Sequence, residues 1–372
     1  MNFSPRCRPV LIGSLPLHDH EAALAMIFRH TPEIPIWPQL PRLPKEGMIR
    51  QFLDGFPGLK EDGKRFWIDT EAADFPEQMA QFYDEYGQAE AETNPCRPPF
   101  MLNEEAAPGF YAFCQALAES GGEKKMPWTV KGQITGPVTC GMGVKDSHGR
   151  AIVHDDNLRD VLVALIAMKA ECQARCLARL TNQETPPLVF IDEPAMVAFG
   201  SSGFSGIGRD MVSEAVGRVI ASIHRGGALA GVHVCANGDW QPVLASTADI
   251  VSFDAYSYFD NLILYRQELL HFLARGGVLA WGIVPTGDMA ALEEATEDSL
   301  HALWRGQLAK LLALGVDKET MTARTLITPS CGTGSLTATQ AEKALCLTAK
   351  LSRRLRRELY GAEGGENPRE QT

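Results

Sequence analysis

RDMVSEAVGRVIASIHRGGALAGVHVCAN, residues 209–237, contains an amphipathic helix over 209–225, a Gly226-Gly227 stop and a strand over 228–234. The strand ends in two soft metal ligands, His233 and Cys235. A helix closed by a glycine in the left-handed region and followed at once by a short apolar strand is the mark of a βα unit. The same grammar recurs downstream. A helix over 260–275 stops at Gly276-Gly277 before a strand over 278–284, and one over 300–314 stops at Gly315 before a strand over 325–328.

The first half fits the same scheme. Residues 9–14 read as the first strand, Asp19 caps a helix over 21–29, and 34–37 read as the second strand. Strands over 129–134 and 188–191 flank a long helix over 158–180, and 250–253 brings the number to eight. Eight strands alternating with helices predict an α/β chain folded as a (β/α)8 TIM barrel. The stretch 41–126 is too long for one connection, so it reads as an insertion after strand 2, with helices near 75–86 and 103–120. The barrel domain is expected over 1–360, and the polar, Gly-rich 361–372 as a disordered tail.

Composition narrows the function. The 372 residues carry a formal charge of −11, which argues against nucleic acid or an anionic membrane as the main partner, since both need a basic face. The dense basic cluster, Arg353-Arg354-Leu355-Arg356-Arg357, falls in the last turns of a helix, where it complements the dipole. No apolar run approaches a membrane span or a signal-peptide core, and nine scattered cysteines fit reduced thiols, so a cytoplasmic protein is expected. Cys172 and Cys176 share a helical face, which packing explains.

The suggestive side chains all follow the C-terminal ends of predicted strands, which a barrel gathers at one mouth. Gly13 and Ser14 close strand one, Asp192 and Glu193 strand four, His233 and Cys235 strand five, Asp254 strand six and Cys331 strand eight. Alternate residues of a strand share a face, so His233 and Cys235 can grip one ion together, with Cys331 as third ligand. One His and two thiolates are a zinc set that leaves a position open for chemistry; the competing reading makes them small buried residues. Asp254 is either a fourth, displaceable oxygen ligand or the cap of the next helix. Of Asp192 and Glu193, which face different ways, one is suited to a substrate ammonium and the other to holding a loop, unless both serve a structural ion pair. Gly13 and Ser14 suit a small carboxylate, and His18 and His20 are left on the surface.

Several of these pieces, in order, resemble one family: Ile12-Gly13-Ser14, the run from Gly132 to Thr139, Ile191-Asp192-Glu193-Pro194-Ala195, His233-Val234-Cys235 and Pro329-Ser330-Cys331-Gly332. Together they resemble the catalytic barrel of cobalamin-independent methionine synthase, within the uroporphyrinogen decarboxylase superfamily. The resemblance implies zinc on His233, Cys235 and Cys331, with Asp254 standing where the family has a glutamate ligand. It further implies Asp192 on the ammonium of homocysteine, Gly13 and Ser14 as substrate contacts, and a homocysteine methyltransferase. The chain is similar to the short, core-only forms, for which methylcobalamin or a corrinoid protein is the expected methyl donor ahead of methyltetrahydrofolate. His233-Val234-Cys235-Ala236-Asn237 is also similar to the zinc motif of methylcobamide:coenzyme M methyltransferases. A decarboxylase-like barrel and a non-catalytic metal-binding barrel complete the alternatives.

Overall fold

The computed structural model describes residues 3–63, 65–119, 126–181, 184–198 and 206–361, so the tail 362–372 lies outside the described residues. The chain opens with β1 (Arg8–Pro9), and β2 (Leu59–Glu61) pairs antiparallel with β3 (Phe66–Ile68) inside the insertion. The remaining strands are β4 (Lys131–Thr135), β5 (Leu188–Asp192), β6 (Leu229–Val234), β7 (Ile250–Asp254), β8 (Val278–Val284) and β9 (Thr325–Pro329). Apart from β2 and β3 they form one parallel sheet of seven strands, ordered β1-β9-β8-β7-β6-β5-β4.

The ends of that order are linked through residues 33–39. Ser14 bridges to Gln39 and Ile36 to Lys131, both parallel, with Leu15 N donating to Gln39 O at 2.9 Å and Lys131 N to Pro35 O at 2.9 Å. The expected second strand, 34–37, therefore makes isolated bridges instead of a ladder. Pro35 and Pro38 explain this, because neither has an N–H to donate. The expected first strand, 9–14, is likewise reduced to the β1 ladder and the Ser14 bridge, with Pro9 at its start.

Helix Arg209–Arg225 matches its sequence reading, and Gly227 beyond it has φ +82°, a left-handed conformation that a side chain would strain. The single helix expected over 260–275 is instead two, Ala255–Leu262 and Arg266–Ala274. The first begins directly at the end of β7 because the Asp254 side chain accepts from Ser257 N at 2.9 Å. Asp19 caps His20–His30 as expected, accepting from Ala22 N. The insertion carries helices Phe75–Ala91 and Pro108–Glu119, and the β2–β3 hairpin was not foreseen. Among the described residues no helix is long and apolar enough to cross a membrane.

Strand alternation divides the core in two. Leu188, Phe190, Leu229, Ile250, Val278, Ala280 and Leu326 pack together on one face of the sheet. Val189, Ile191, Val232, Val251, Phe253, Leu279, Trp281 and Ile327 join the larger cluster with the helices on the other. Asp192, His233, Ser252 and Thr328 keep the parity of the first set, so the polar residues at the C-terminal strand ends continue the inner face.

Candidate metal centre

His233 lies near the end of β6, opposite Asp192 of β5 and Ser252 of β7 in register. It is buried, and its Nδ1 lies 2.9 Å from the Ser252 hydroxyl, itself fully buried. With the proton on Nδ1 donated to Ser252, the lone pair of Nε2 is left to face the site. Nε2 is buried and finds no oxygen or nitrogen partner. It shares its surroundings with the Cys235 and Cys331 sulfurs, and the three ligand atoms lie within 4.8 Å of one another. Among the described residues this is the one such group of three or more metal-ligating side chains.

The Cys331 side chain and the His233 ring beside it draw the Cys235 thiol well below its ordinary value. The Cys331 thiol is pushed up by Cys235 and by burial. Three soft or borderline donors, one already inclined to be a thiolate, are a set that zinc accepts. Cys331 is held from behind: Thr286 Oγ1 accepts from Cys331 N at 2.9 Å and donates to Cys331 O at 3.1 Å.

The other predicted residues fall around this trio in different ways. Asp192 is buried; its Oδ1 has no hydrogen-bond partner, and burial pushes its carboxyl up to about 6 against the pull of Lys131 and His233. Asp254 is not part of the trio and is engaged as the helix cap; burial, with a smaller push from Cys235, raises its carboxyl. Ser14 faces the Cys331 loop, its carbonyl accepting from Thr333 N and its hydroxyl from Gly334 N. Gly13 has no room for a side chain, since a Cβ would stand 2.6 Å from Gln39 Oε1. Glu193 turns away and holds the start of helix Pro137–Gly143 where a loop was expected: its carboxylate accepts from Val138 N, Thr139 N and the Thr139 hydroxyl at 2.6–2.9 Å. Burial nonetheless pushes it up to about 7. His20 pairs with buried Glu46 at 2.8 Å and so supports the fold instead of lying free on the surface.

Three contributors escaped the sequence reading. Lys131 is fully buried, with Nζ 2.5 Å from Ile12 O and 4.5 Å above the centre of the Phe190 ring; burial draws its ammonium down to about 8 while Asp192 raises it. Gln173 on helix Asp156–Leu180 ties β4 to Trp37, accepting from Trp37 Nε1 and Gln133 N. Ser252 orients the histidine. The signal available for Lys131 and Ser252 was a polar residue at the inward parity of a strand.

No family model and no curated protein matches this sequence. Solved structures do. A protein assigned as a vitamin-B12-independent methionine synthase from Listeria monocytogenes aligns over 94% of this chain and 98% of its own, with a TM-score of 0.53 and 10% identity. A B12-independent methionine synthase from Shewanella sp. W3-18-1, in complex with selenomethionine, aligns over 66% of this chain and 67% of its own, at TM-score 0.45 and 14% identity. A methyltransferase from Methanosarcina mazei aligns over 65% and 64%, at TM-score 0.43 and 15% identity. At such identities the Listeria likeness, which runs end to end, is a likeness of fold.

Proposed function

We propose that this chain is a zinc-dependent thiol methyltransferase that converts homocysteine to methionine, built on a (β/α)8 barrel in which residues 33–39 act as the eighth stave. The observation that carries the reading is buried His233, which offers a ring nitrogen within 4.8 Å of two thiols and whose Nε2 has no hydrogen-bond partner. A buried polar atom without a partner costs ~1–3 kcal/mol, so its retention calls for a compensating ligand. His233, Cys235 and Cys331 would hold zinc, with Asp254 as an exchangeable fourth ligand through the oxygen its cap bond leaves over. Bound there, zinc supplies the Lewis acidity that keeps an acceptor thiol ionised at neutral pH.

The chain's own residues do the rest. Asp192 takes the ammonium of the amino acid on its unpartnered Oδ1, and Lys131 beneath it helps keep the carboxylate charged. Gly13 and Ser14 bring backbone close to the amino-acid end, while Glu193 fixes the start of helix Pro137–Gly143. Two cysteinates balance a divalent ion, so the site is electron-rich and favours sulfur attack on a methyl carbon over activation of water. For the donor we infer methylcobalamin or a methylated corrinoid protein. A formal charge of −11 disfavours a folate polyglutamate tail, which calls for a basic groove.

Metal content of the purified protein, measured together with a titration by homocysteine, tests the reading. One zinc per chain and saturable thiol binding support it. A metal-free protein that binds no thiol after zinc is supplied would exclude it, and zinc closed to every added thiol would favour a purely structural metal site.

A further inference from the structure

Four of the nine cysteines, Cys96, Cys114, Cys172 and Cys176, line a single cavity of about 200 Å3 between the insertion and helix Asp156–Leu180. They meet as two pairs. Cys114 Sγ lies 3.9 Å from Cys176 Sγ, and Cys96 lies beside Cys172 in the same cavity lining. In each pair one thiol comes from the insertion and the other from the helix, where Cys172 and Cys176 stand one turn apart. The pairs do not merge into one metal set, because no three of these sulfurs approach within the 4.8 Å that the His233 trio satisfies.

Reactivity requires thiolate character and access. Cys96, Cys114 and Cys176 are partly exposed, unlike Cys7 and Cys140, which are sealed in the core with their thiols pushed up by burial. The hydrogen-bonding contact with Cys114, helped by Arg179 nearby, pulls the Cys176 thiol down to about 7. One member of the pair is thus a ready nucleophile, and the other is a resolving thiol in contact with it.

We propose that Cys114 and Cys176 form a redox modification site that closes to a disulfide by exchange with a low-molecular-weight disulfide, with Cys96 and Cys172 the second pair of the same pocket. The Cys176 thiolate attacks one sulfur of the incoming disulfide, whose S–S bond breaks and releases a thiolate. Cys114 gives up its proton and displaces the second thiolate from the mixed disulfide. Two protein thiols are oxidised by two electrons, and the small disulfide is reduced to two thiols that take up both protons. The bond fastens helix Pro108–Glu119 of the insertion to helix Asp156–Leu180, 62 residues apart in sequence at the linked positions.

Full-length protein incubated with oxidised glutathione, alkylated and digested for mass mapping tests the assignment. The expected result is a peptide joining Cys114 to Cys176 that dithiothreitol reverses. In Cys114→Ser, glutathione should persist on Cys176 as a mixed disulfide, because the resolving thiol is gone. Stable glutathione on both cysteines of the unaltered protein, or no reaction at Cys176, overturns the proposal. Zinc retained by a Cys235→Ser/Cys331→Ser double variant, shielding these four thiols from glutathione, also overturns it, in favour of a thiolate metal site.

Discussion

Replacing Ser252 with alanine removes one oxygen and leaves every proposed zinc ligand in place. The hydroxyl lies 2.9 Å from His233 Nδ1, and neither residue has appreciable access to water, so no solvent molecule can replace the lost bond cheaply. An imidazole N–H left buried and unpaired costs ~1–3 kcal/mol. A partner that fixes the tautomer and aim of a ligating histidine changes metal affinity by ~10–100-fold, or ~1.4–2.8 kcal/mol, a range that agrees with the first figure. Both effects act in one direction: without Ser252 the proton is no longer held on Nδ1, and Nε2 offers its lone pair for a smaller fraction of the time. Chelator competition on the two proteins should show zinc affinity lower by about one to two orders of magnitude in Ser252→Ala, with the far-ultraviolet circular dichroism unchanged. Equal affinities would mean that His233 does not ligate through Nε2, and the reasoning for the whole centre would fail with it.

Cys235→Ser and Cys331→Ser should each lose most of the zinc while the fold survives, since the sheet's apolar core does not include either side chain; elemental analysis and circular dichroism check the two halves. Asp192→Asn should weaken homocysteine binding by ~1.5–3 kcal/mol, the range of a charge-assisted hydrogen bond, with scarcely any change in zinc content; calorimetry decides it. Glu193→Ala strands two buried amides and a hydroxyl at the start of helix Pro137–Gly143, and should lower stability by ~3 kcal/mol or more, read as a fall in melting temperature. Methylcobalamin should support methionine formation and methyltetrahydrofolate alone should do so poorly; steady-state assays with each donor in turn expose the reverse.

The repeated helix–glycine–strand unit made the second half of the fold legible, because each of its signals is local: amphipathic spacing, a glycine that must adopt positive φ, and a short apolar run. Helix Arg209–Arg225 and strand Val278–Val284 fall where the sequence puts them. The first half resisted because prolines at 9, 35 and 38 remove ladder hydrogen bonds without removing the extended path, a distinction that hydrophobic pattern does not carry. Among site residues, His233, Cys235 and Cys331 were legible from type and position, and they do come together. The partners Ser252, Lys131 and Gln173 were not, since a lone polar residue in a strand or helix becomes informative only when the group facing it is known. Asp254 shows the converse: its two sequence readings were cap and ligand, and the cap bond is formed in the structure.

Charge around the site bears on which thiol it would accept. Asp192 and Asp254 are both buried acids at the strand ends. The buried cation on the same face, Lys131, commits its ammonium to Ile12 O at 2.5 Å and points the remainder at Gln133 Oε1 at 3.4 Å. A sulfonate-bearing acceptor such as coenzyme M would carry negative charge toward those carboxylates. Two unit charges at ~4 Å interact by about 4 kcal/mol at an effective dielectric near 20, and here the sign is repulsive. An amino-acid acceptor reverses it, because its ammonium meets an Asp192 oxygen that has no other partner. In the proposed site its carboxylate would lie toward the backbone of Gly13 and Ser14, away from the acids. On the proposed reading, the same residues that could hold zinc for either methyltransferase would favour the acceptor whose ammonium can meet Asp192.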